Sequence, residues 1–479
     1  MSFPGLSLPG LSMSAPPPAD MPPPSAPRTQ DLAPGTEYRF EVPFNSTLTV
    51  KLLNGTAECF GTELACNAKE PYVFRAGTKA AIYTWHGCRL QVEGDVESEY
   101  QAEETPMVEY ANVHFALEKL RNRVEQDSSS TGGGDQPIGP RVLVVGPENA
   151  GKTSLVRLLT AYGVKMGRQP VVVNLDPRQG MLSPPGSLAT ATVANVLDVE
   201  EGWGSSPING PSPVPVKFPL VYHFGLGSPD DNPRMFRGLV TRLALAVTSR
   251  LGEDDDARKS GCLIDTPGVL SVDKKGVYEN IQHVVSELSV SVILVLGAER
   301  LYSDLSRRFS RNGEDLVQVV KLDKSGGCVD RDENYMKQLR QSQVRSYFFG
   351  HGSMTLSPHT QRVDFNSLHV FRTVDTSANN PASSFLPGGE SDDVESSARL
   401  YERIKPSLMI QNGLLAITNA EPSDSHESIR DSSVKGYVYI ADVDEAKQNV
   451  KLLAPLSGQI PRTAMILGNW PEDVAGLVG

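Results

Sequence analysis

The segment RVLVVGPENAGKTSLVRLL at 141–159 constrains the fold more than any other part of this sequence. An apolar run is followed by the pattern Gly146-x-x-x-x-Gly151-Lys152-Thr153 and then by residues suited to a helix. This order is typical of a phosphate-binding loop (P-loop) between a strand and a helix, whose glycines let backbone N–H groups turn inward towards anionic oxygens. We therefore expect Lys152 to reach the β- and γ-phosphates of ATP and Thr153 to offer its hydroxyl to Mg²⁺.

Continuous apolar runs alternate with helix-compatible segments through the middle of the chain. The runs lie at 141–145, 170–176, 261–266, 291–297 and 316–322. Such runs are typical of strands that are buried on both faces of a parallel sheet. Their alternation with helices predicts the α/β fold class, with a doubly wound parallel sheet in the P-loop domain. The stretches 205–215 and 253–259 are expected to be loops.

Composition on either side of this region predicts further domains. Short runs of β-branched and aromatic residues separated by Gly, Asn and Pro indicate a sandwich-like β-domain before it, and strand-rich segments return after it. We divide the chain into a disordered Pro/Ser-rich tail at 1–34, an N-terminal β-domain at 35–108, the P-loop ATP-binding domain at 109–350 and a C-terminal β-rich domain at 351–479. A flexible linker is expected at 128–137, and disorder at 377–397 and 420–432.

Charge and composition exclude several classes of protein. A formal net charge of −12 argues against a broad RNA-binding surface and leaves room only for a small local RNA site. No apolar run is long enough to cross a membrane, and the N-terminus lacks the basic and apolar parts of a signal peptide. The five cysteines form no CxxC pair, so we expect reduced thiols in an intracellular protein.

Two aspartates end predicted strands and are candidate partners of the P-loop. Asp176 follows the second run and Asp265 the third, at the strand ends that line the ligand crevice of such sheets. Either carboxylate could hold a Mg²⁺-bound water or act as a general base. Each also precedes a proline, where an aspartate commonly forms a turn, so a structural role is the alternative. Which of the two serves Mg²⁺ stays open.

Asp265 also begins D-T-P-G, which matches the D-x-x-G of a GTPase switch. That class needs an N-K-x-D guanine-reading motif, where this chain has KLDKSGG at 321–327, so a GTPase is the less favoured interpretation. Further along, Arg300 and Arg307 are seven residues apart on a predicted helix and can face one side. They are candidates for neutralising charge during phosphoryl transfer, with an ordinary solvated basic face as the alternative.

Over nearly all of 35–479 the chain resembles the Clp-type family of RNA 5′-hydroxyl polynucleotide kinases. The resemblance is strongest to its fungal branch of ATP-binding subunits of pre-mRNA cleavage and polyadenylation factor I. It is carried by GTEYRF, LLNGTAECFGTEL, AGTKAAIYTWHGC, TPMVEYANVHFALE, GPENAGKTS, LVYHFG, ERLYSDL and KSGG. The order of these segments and the three-domain layout both match the family.

The resemblance implies roles for individual residues. The N-terminal domain would sandwich the adenine of ATP, with Glu37 and Lys79 at the matching positions. Asp176 matches the family's D-x-G-Q-G acid, which together with Thr153 would hold Mg²⁺, and Arg300 and Arg307 match its lid arginines. The phosphate contacts match Asn149, Ala150, Gly151, Lys152, Thr153 and Ser154.

Two departures from the family pattern affect the expected activity. Active members have D-V-G-Q-G where this chain has D-P-R-Q-G at 176–180, and T-x-G-W where it has T-P-G-V at 266–269. The missing tryptophan would stack on the terminal RNA base, a contact worth about 1–3 kcal/mol. The expectation is thus a nuclear binding module with ATP as a structural ligand. Its implied partners are a Pcf-type scaffold subunit of cleavage factor I and other 3′-end processing subunits, with weak or indirect RNA contact. The alternative is an active RNA 5′-hydroxyl kinase.

Overall fold

The computed structural model describes residues 26–130, 136–200, 219–272, 276–309, 317–351, 354–377 and 400–478. Three structural regions follow one another along these residues, and the predicted α/β class with flanking β-domains is confirmed. The expectations for the first 25 residues, for the loop at 205–215 and for 378–397 lie outside the described residues. No described helix is long and apolar enough to span a bilayer.

The N-terminal domain is built from nine strands in two sheets. The strands are β1 (Arg28–Leu32), β2 (Thr36–Glu41), β3 (Leu48–Gly55), β4 (Glu58–Cys59), β5 (Thr62–Glu63), β6 (Tyr72–Phe74), β7 (Lys79–Thr84), β8 (Cys88–Gly94) and β9 (Ser98–Ala102). One sheet has the order β1-β8-β3-β6 and the other β5-β4-β7-β2-β9. Alternate side chains of β3 are buried, as the period of two along a strand requires, and they fill a core between the sheets.

The prediction of a disordered tail at 1–34 is wrong from Arg28 onward. β1 pairs antiparallel with β8 along its whole length, Leu32 is 5% exposed, and the Arg28 guanidinium makes two hydrogen bonds to the Glu99 carboxylate. Ladder hydrogen bonds and one well-buried leucine order this segment, although its composition is polar. Local composition gives no sign that the segment pairs with a strand about 60 residues away in sequence.

The P-loop domain combines seven strands and seven helices among the described residues. The strands are β10 (Arg141–Val145), β11 (Val171–Asn174), β12 (Ser187–Thr192), β13 (Leu220–His223), β14 (Cys262–Asp265), β15 (Val292–Leu296) and β16 (Gln318–Leu322). The helices are α1 (Met107–Ser130), α2 (Lys152–Lys165), α3 (Pro233–Glu253), α4 (Asp255–Ser260), α5 (Glu279–Glu287), α6 (Glu299–Phe309) and α7 (Glu333–Phe349), with a 3₁₀ turn at Gly268–Ser271.

One sheet of order β13-β12-β11-β14-β10-β15-β16 forms the centre of this domain. The five predicted strands are the parallel ones, and β10, which leads into the P-loop, lies between β14 and β15. β12 and β13 add an antiparallel edge that the sequence analysis did not predict. β12 reads SLATAT and β13 only LVYH, so neither is a long apolar run, and both are ordered by pairing.

Two local expectations in this domain are wrong. Residues 255–259 of the expected loop at 253–259 lie in helix α4, because the Asp254 side chain caps its start by accepting a hydrogen bond from the Ala257 N–H at 3.1 Å. Acidic residues follow in its first turn and basic residues in its last, which suits the helix dipole. Of the expected linker at 128–137, residues 128–130 belong to the last turn of α1, while 131–135 lie outside the described residues.

The C-terminal region is a mixed sheet preceded by a two-stranded pair. The elements are β17 (Gly350–His351), β18 (Met354–Thr355), β19 (His359–Asp364), β20 (His369–Thr373), β21 (Tyr401–Ile404), β22 (Leu414–Thr418), α8 (His426–Arg430), β23 (Val434–Asp444), β24 (Asn449–Ala454) and β25 (Ala464–Leu467), with 3₁₀ turns at Phe365–Ser367 and Leu408–Ile410. β17 pairs with β18, and the larger sheet has the order β19-β24-β23-β22-β25-β20-β21. The expectation of disorder at 420–432 is wrong. Ser425 caps α8, and Ile429 is fully buried.

The N-terminal domain is fixed against α2 by the tight turn between β4 and β5. Phe60 and Gly61 both have left-handed backbones, with φ of 46° and 83°, as a two-residue hairpin turn requires. A Cβ on Gly61 would lie 3.0 Å from the Ala161 Cβ, so only glycine allows the turn to sit this close to the helix. A buried hydrogen bond from Tyr162 to Glu58 reinforces the contact. The interface therefore places the N-terminal sheets beside the P-loop helix.

Leu32→Ala tests the correction to the N-terminal tail. Removing this buried side chain is expected to cost about 2–5 kcal/mol and to loosen β1 from β8. Hydrogen–deuterium exchange of the β8 amides should therefore become faster. Thr29→Ala, an exposed change on the same strand, should leave it unchanged. Equal exchange in both variants would show that β1 does not support this sheet.

Candidate nucleotide-binding site

The loop between β10 and α2 depends on two glycines. A Cβ at position 146 would lie 2.8 Å from the Leu296 carbonyl oxygen, and a Cβ at 151 would lie 2.7 Å from the Cys328 sulfur. Gly151 also has a left-handed backbone with φ of 88°. Any other residue at these positions would need the loop, or the segment that covers it, to move. The residues packed around the P-loop therefore require glycine at both positions, as the predicted loop conformation does.

Thr153 and Asp265 form the polar floor of the loop. The Thr153 hydroxyl donates a 2.6 Å hydrogen bond to the Asp265 carboxylate, which ends β14 and is 1% exposed. Burial raises the pKa of Asp265 to about 7, against the opposing effects of the Thr153 hydrogen bond and the Lys152 charge. A hydroxyl and a carboxylate oxygen in contact are the ligand types that Mg²⁺ prefers. The donor set therefore suits a metal beside the phosphates.

Lys152 is buried and its ammonium donates to the Pro147 carbonyl oxygen at 2.7 Å. Burial lowers its pKa, and the carboxylates of Asp265 and Asp176 act in the opposite direction. The hydrogen bond to Pro147 fixes the Lys152 ammonium over the loop, where its other N–H groups can donate to anionic oxygens. This arrangement fits the predicted phosphate contact.

Asp176 lies at the end of β11 and is engaged by its own turn. Its carboxylate accepts from the Arg178 N–H at 2.9 Å and from the Gln179 amide at 3.0 Å, and burial raises its pKa. The hydroxyl of Thr153 contacts Asp265 and not Asp176, so the geometry favours Asp265 for the metal. The roles predicted for Asp176 as base and metal ligand stay predictions.

Both predicted adenine residues and three of the six predicted phosphate residues line one cleft between the two domains, whereas Ala150, Lys152 and Thr153 are not among its lining residues. About 970 Å³ of empty space, partly open to solvent, is bounded by Glu37 and Lys79 on one side and by Asn149, Gly151 and Ser154 on the other. Residues from positions 37 to 331 of the sequence thus face the same space. A P-loop ligand placed here would touch both domains at once.

Glu37 and Lys79 are held in place by neighbouring charges. The Glu37 carboxylate is 4% exposed and accepts hydrogen bonds from the Arg39 guanidinium, at 2.7 Å, and from the Thr105 hydroxyl. The Lys79 ammonium pairs with Glu41 and lies 4.8 Å from the centre of the Tyr335 ring. Both side chains are therefore oriented before any ligand arrives.

Sequence reasoning missed several residues that line the same cleft. The added lining residues include three aromatic rings, a thiol and a guanidinium, which belong to Phe60, Tyr83, Tyr110, Cys328 and Arg331. The last two follow β16, and the rule that ligands bind beyond the carboxyl ends of parallel strands could have indicated them. The aromatic residues come from a hairpin, a sheet and a helix, and no spacing rule joins those positions.

The space beyond the P-loop contains charged side chains of the protein itself. Arg178 makes ion pairs with Glu148 of the loop, at 2.8 Å, and with Glu333 of α7, at 3.0 Å. A Cβ on Gly268 would lie 2.5 Å from the Glu148 backbone nitrogen, so the 266–269 turn is packed directly on the loop. Arg178, part of the departure from the family pattern, thus ties the turn at 176–180 to the P-loop and α7. This turn is named the acceptor turn after the RNA site that the family pattern places there.

Arg300 and Arg307 lie on α6 and both approach Asp304, at 3.8 and 2.5 Å. They therefore face the same side of the helix, as their spacing predicts. Their side chains are 79% and 70% exposed. Their predicted approach to the phosphates stays a prediction.

Three family descriptions match successive parts of the chain. "mRNA cleavage and polyadenylation factor CLP1 P-loop" covers residues 146–350, "N-terminal beta-sandwich domain of polyadenylation factor" covers 31–124, and "Pre-mRNA cleavage complex II protein Clp1" covers 356–472. The chain belongs to the Clp1 family. This confirms the resemblance to the Clp-type family and its fungal cleavage-factor branch.

Fungal members of the Clp1 family match along their whole length. Proteins named mRNA cleavage and polyadenylation factor CLP1 from Phaeosphaeria nodorum and Botryotinia fuckeliana are 56% and 51% identical, over 99% of this chain and 100% of theirs. Two solved structures of Clp1p with Pcf11p are 26% identical to it, with TM-scores of 0.79 and 0.78, over 93% of this chain and 98% of those chains. The description of one concerns ATP loss in a glycine-to-arginine point mutant.

Asp265 gives this Clp1-family protein a testable dependence on pH. Because its folded-state pKa of about 7 lies above the ordinary 3.8, the fold binds this proton more tightly than the unfolded chain does. The stability that this proton gives the fold is fully present below about pH 4 and is lost as the pH rises from about 4 through about 7. Asp265→Asn, which cannot ionise, should therefore raise the melting temperature of the nucleotide-free protein at pH 8 but not near pH 4.

Thermal melting across this pH range, with the exposed Asp473→Asn as a control, measures the effect. A difference in melting temperature between wild type and Asp265→Asn that does not change with pH would contradict the raised pKa of Asp265.

Proposed function

We propose that the protein is the ATP-binding subunit of pre-mRNA cleavage factor I and acts in 3′-end cleavage and polyadenylation in the nucleus. The observation that carries the proposal is the shared cleft, which brings Glu37 and Lys79 of the N-terminal domain to the P-loop. Relatives named for this process, and the Clp1p structures described with Pcf11p and with ATP loss, support it.

ATP acts here as a structural ligand. In this cleft the base lies against the N-terminal sheets and the phosphates against the loop before α2, with Mg²⁺ beside Thr153. A ligand that binds only the assembled pair of domains stabilises that assembly by RT ln(1 + [L]/Kd), about 4 kcal/mol when its concentration is 1,000 times the Kd. ATP therefore holds the domains in one arrangement and presents a fixed surface to a Pcf11-type scaffold subunit and other 3′-end processing subunits.

Lost RNA-kinase activity is part of the proposal. The Arg178 guanidinium, between Glu148 and Glu333, lies in the turn where active members have glycine, and Val269 replaces the base-stacking tryptophan. An RNA 5′-hydroxyl entering beside Asp176 would have to displace these ion pairs without gaining a stacking contact. The alternative, an active kinase, is favoured by the buried Asp176 carboxyl, whose raised pKa suits a general base.

Lys152→Ala tests the role of ATP. The variant should lose bound ATP and, with it, most of its affinity for a Pcf11-type scaffold segment, because the domain arrangement then lacks the stabilisation that ATP adds to the interface at α2. Bound ATP is measured in the nucleotide extracted from wild-type and variant protein, and scaffold affinity is measured by calorimetry with the scaffold segment. The exposed Lys119→Ala should match wild type in both. Unchanged ATP and scaffold binding by Lys152→Ala would refute the proposal.

Label transfer from ATP to a 5′-hydroxyl oligoribonucleotide separates the two candidate functions. Wild type is expected to transfer no more than Lys152→Ala. Combining Pro177→Val, Arg178→Gly and Val269→Trp should raise transfer, because the ion pairs are removed and the stacking residue is restored. Robust transfer by wild type that Lys152→Ala abolishes would establish the kinase instead.

A further inference from the structure

Arg331 lies in the segment that covers the P-loop. This segment follows β16 and contacts the loop through Cys328, whose sulfur would be 2.7 Å from a Cβ on Gly151. Arg331 lines the nucleotide cleft together with Asn149 and Gly151. It comes from outside the sequence motifs and lies about 180 residues from the loop.

The Arg331 guanidinium is held by two neutral amide oxygens. Its Nε donates to the Asn149 side chain at 2.9 Å and one terminal nitrogen donates to the Gln179 side chain at 3.1 Å. A guanidinium has five N–H donors, so three remain for other groups. In the described ranges its recorded partners include no carboxylate, whereas Arg178 nearby has two. A half-buried cation lining a cleft with neutral partners is arranged for an incoming anion.

Arg331 lies close enough to the Lys152 ammonium of the P-loop for the two charges to interact. Burial lowers the pKa of Lys152 and the positive charge of Arg331 lowers it further, whereas the carboxylates of Asp265, Asp176 and Glu148 raise it. An anion that contacts both cations would reduce the repulsion between them further. A phosphate group is the anion that the P-loop itself would supply.

The hydrogen bonds of Arg331 indicate which phosphate this is. Asn149 belongs to the loop, while Gln179 belongs to the acceptor turn and donates to the Asp176 carboxylate. Arg331 thus bridges the loop and the turn that holds Asp176, where the end of a phosphate chain would lie in the proposed ATP site. We infer that Arg331 contacts the terminal phosphate of the bound nucleotide and makes the site prefer a triphosphate to a diphosphate. This inference rests on the proposed ATP site.

Arg331→Gln keeps a polar side chain but removes the charge, and ATP and ADP affinities measure its effect. Competition against a fluorescent ATP analogue, on protein first freed of bound nucleotide, gives both affinities. Loss of a charge-assisted hydrogen bond should weaken ATP binding about 10- to 100-fold, while ADP binding changes less than about threefold. Arg331→Lys should fall between. Arg345→Gln, at an exposed arginine of α7, should match wild type.

The outcomes separate this inference from the proposed function. If wild type binds neither nucleotide, the ATP site itself fails. If wild type binds ATP and Arg331→Gln keeps the same ratio of ATP to ADP affinity, the inference about Arg331 is wrong and the site stands. Equal weakening of both nucleotides would also overturn the inference, because it would show that Arg331 only supports the shape of the loop through Asn149.

Discussion

Close packing of the chain around the P-loop backbone is the constraint on which the site depends. Gly146 and Gly151 leave no room for a side chain, because the Leu296 carbonyl and the Cys328 sulfur lie within 3 Å of where a Cβ would be. Strand β15 on one side and the segment after β16 on the other thus fix the loop. The Lys152 and Thr153 side chains take their positions from that backbone, and Asp265 meets the threonine from the neighbouring strand.

The N-terminal domain extends this constraint into a two-domain site. The Phe60–Gly61 turn packs on α2, the helix that begins at the loop, so moving one domain moves the other. Glu37 and Lys79 thereby face the P-loop across the cleft. In the proposed function, ATP that spans this cleft links the domains, which would give the nucleotide a role even though Arg178 alters the turn at 176–180.

Much of the fold follows from local patterns. The five apolar runs are the five parallel strands, and the pattern from Gly146 to Thr153 gives the loop its place. β1, β12 and β13 were missed, since pairing with other strands orders them and their own composition does not indicate a strand. α4 and α8 were also missed, although the capping residues Asp254 and Ser425 are readable in sequence. Arg331 could not be assigned, because its role depends on a contact across half of the chain.

In the proposed function, one ATP molecule contacts both domains. Adding Mg·ATP to the nucleotide-free protein should therefore slow hydrogen–deuterium exchange both in the loop at 146–153 and in β7 (Lys79–Thr84) of the N-terminal domain. Protection confined to the P-loop, with exchange in β7 unchanged, would contradict it.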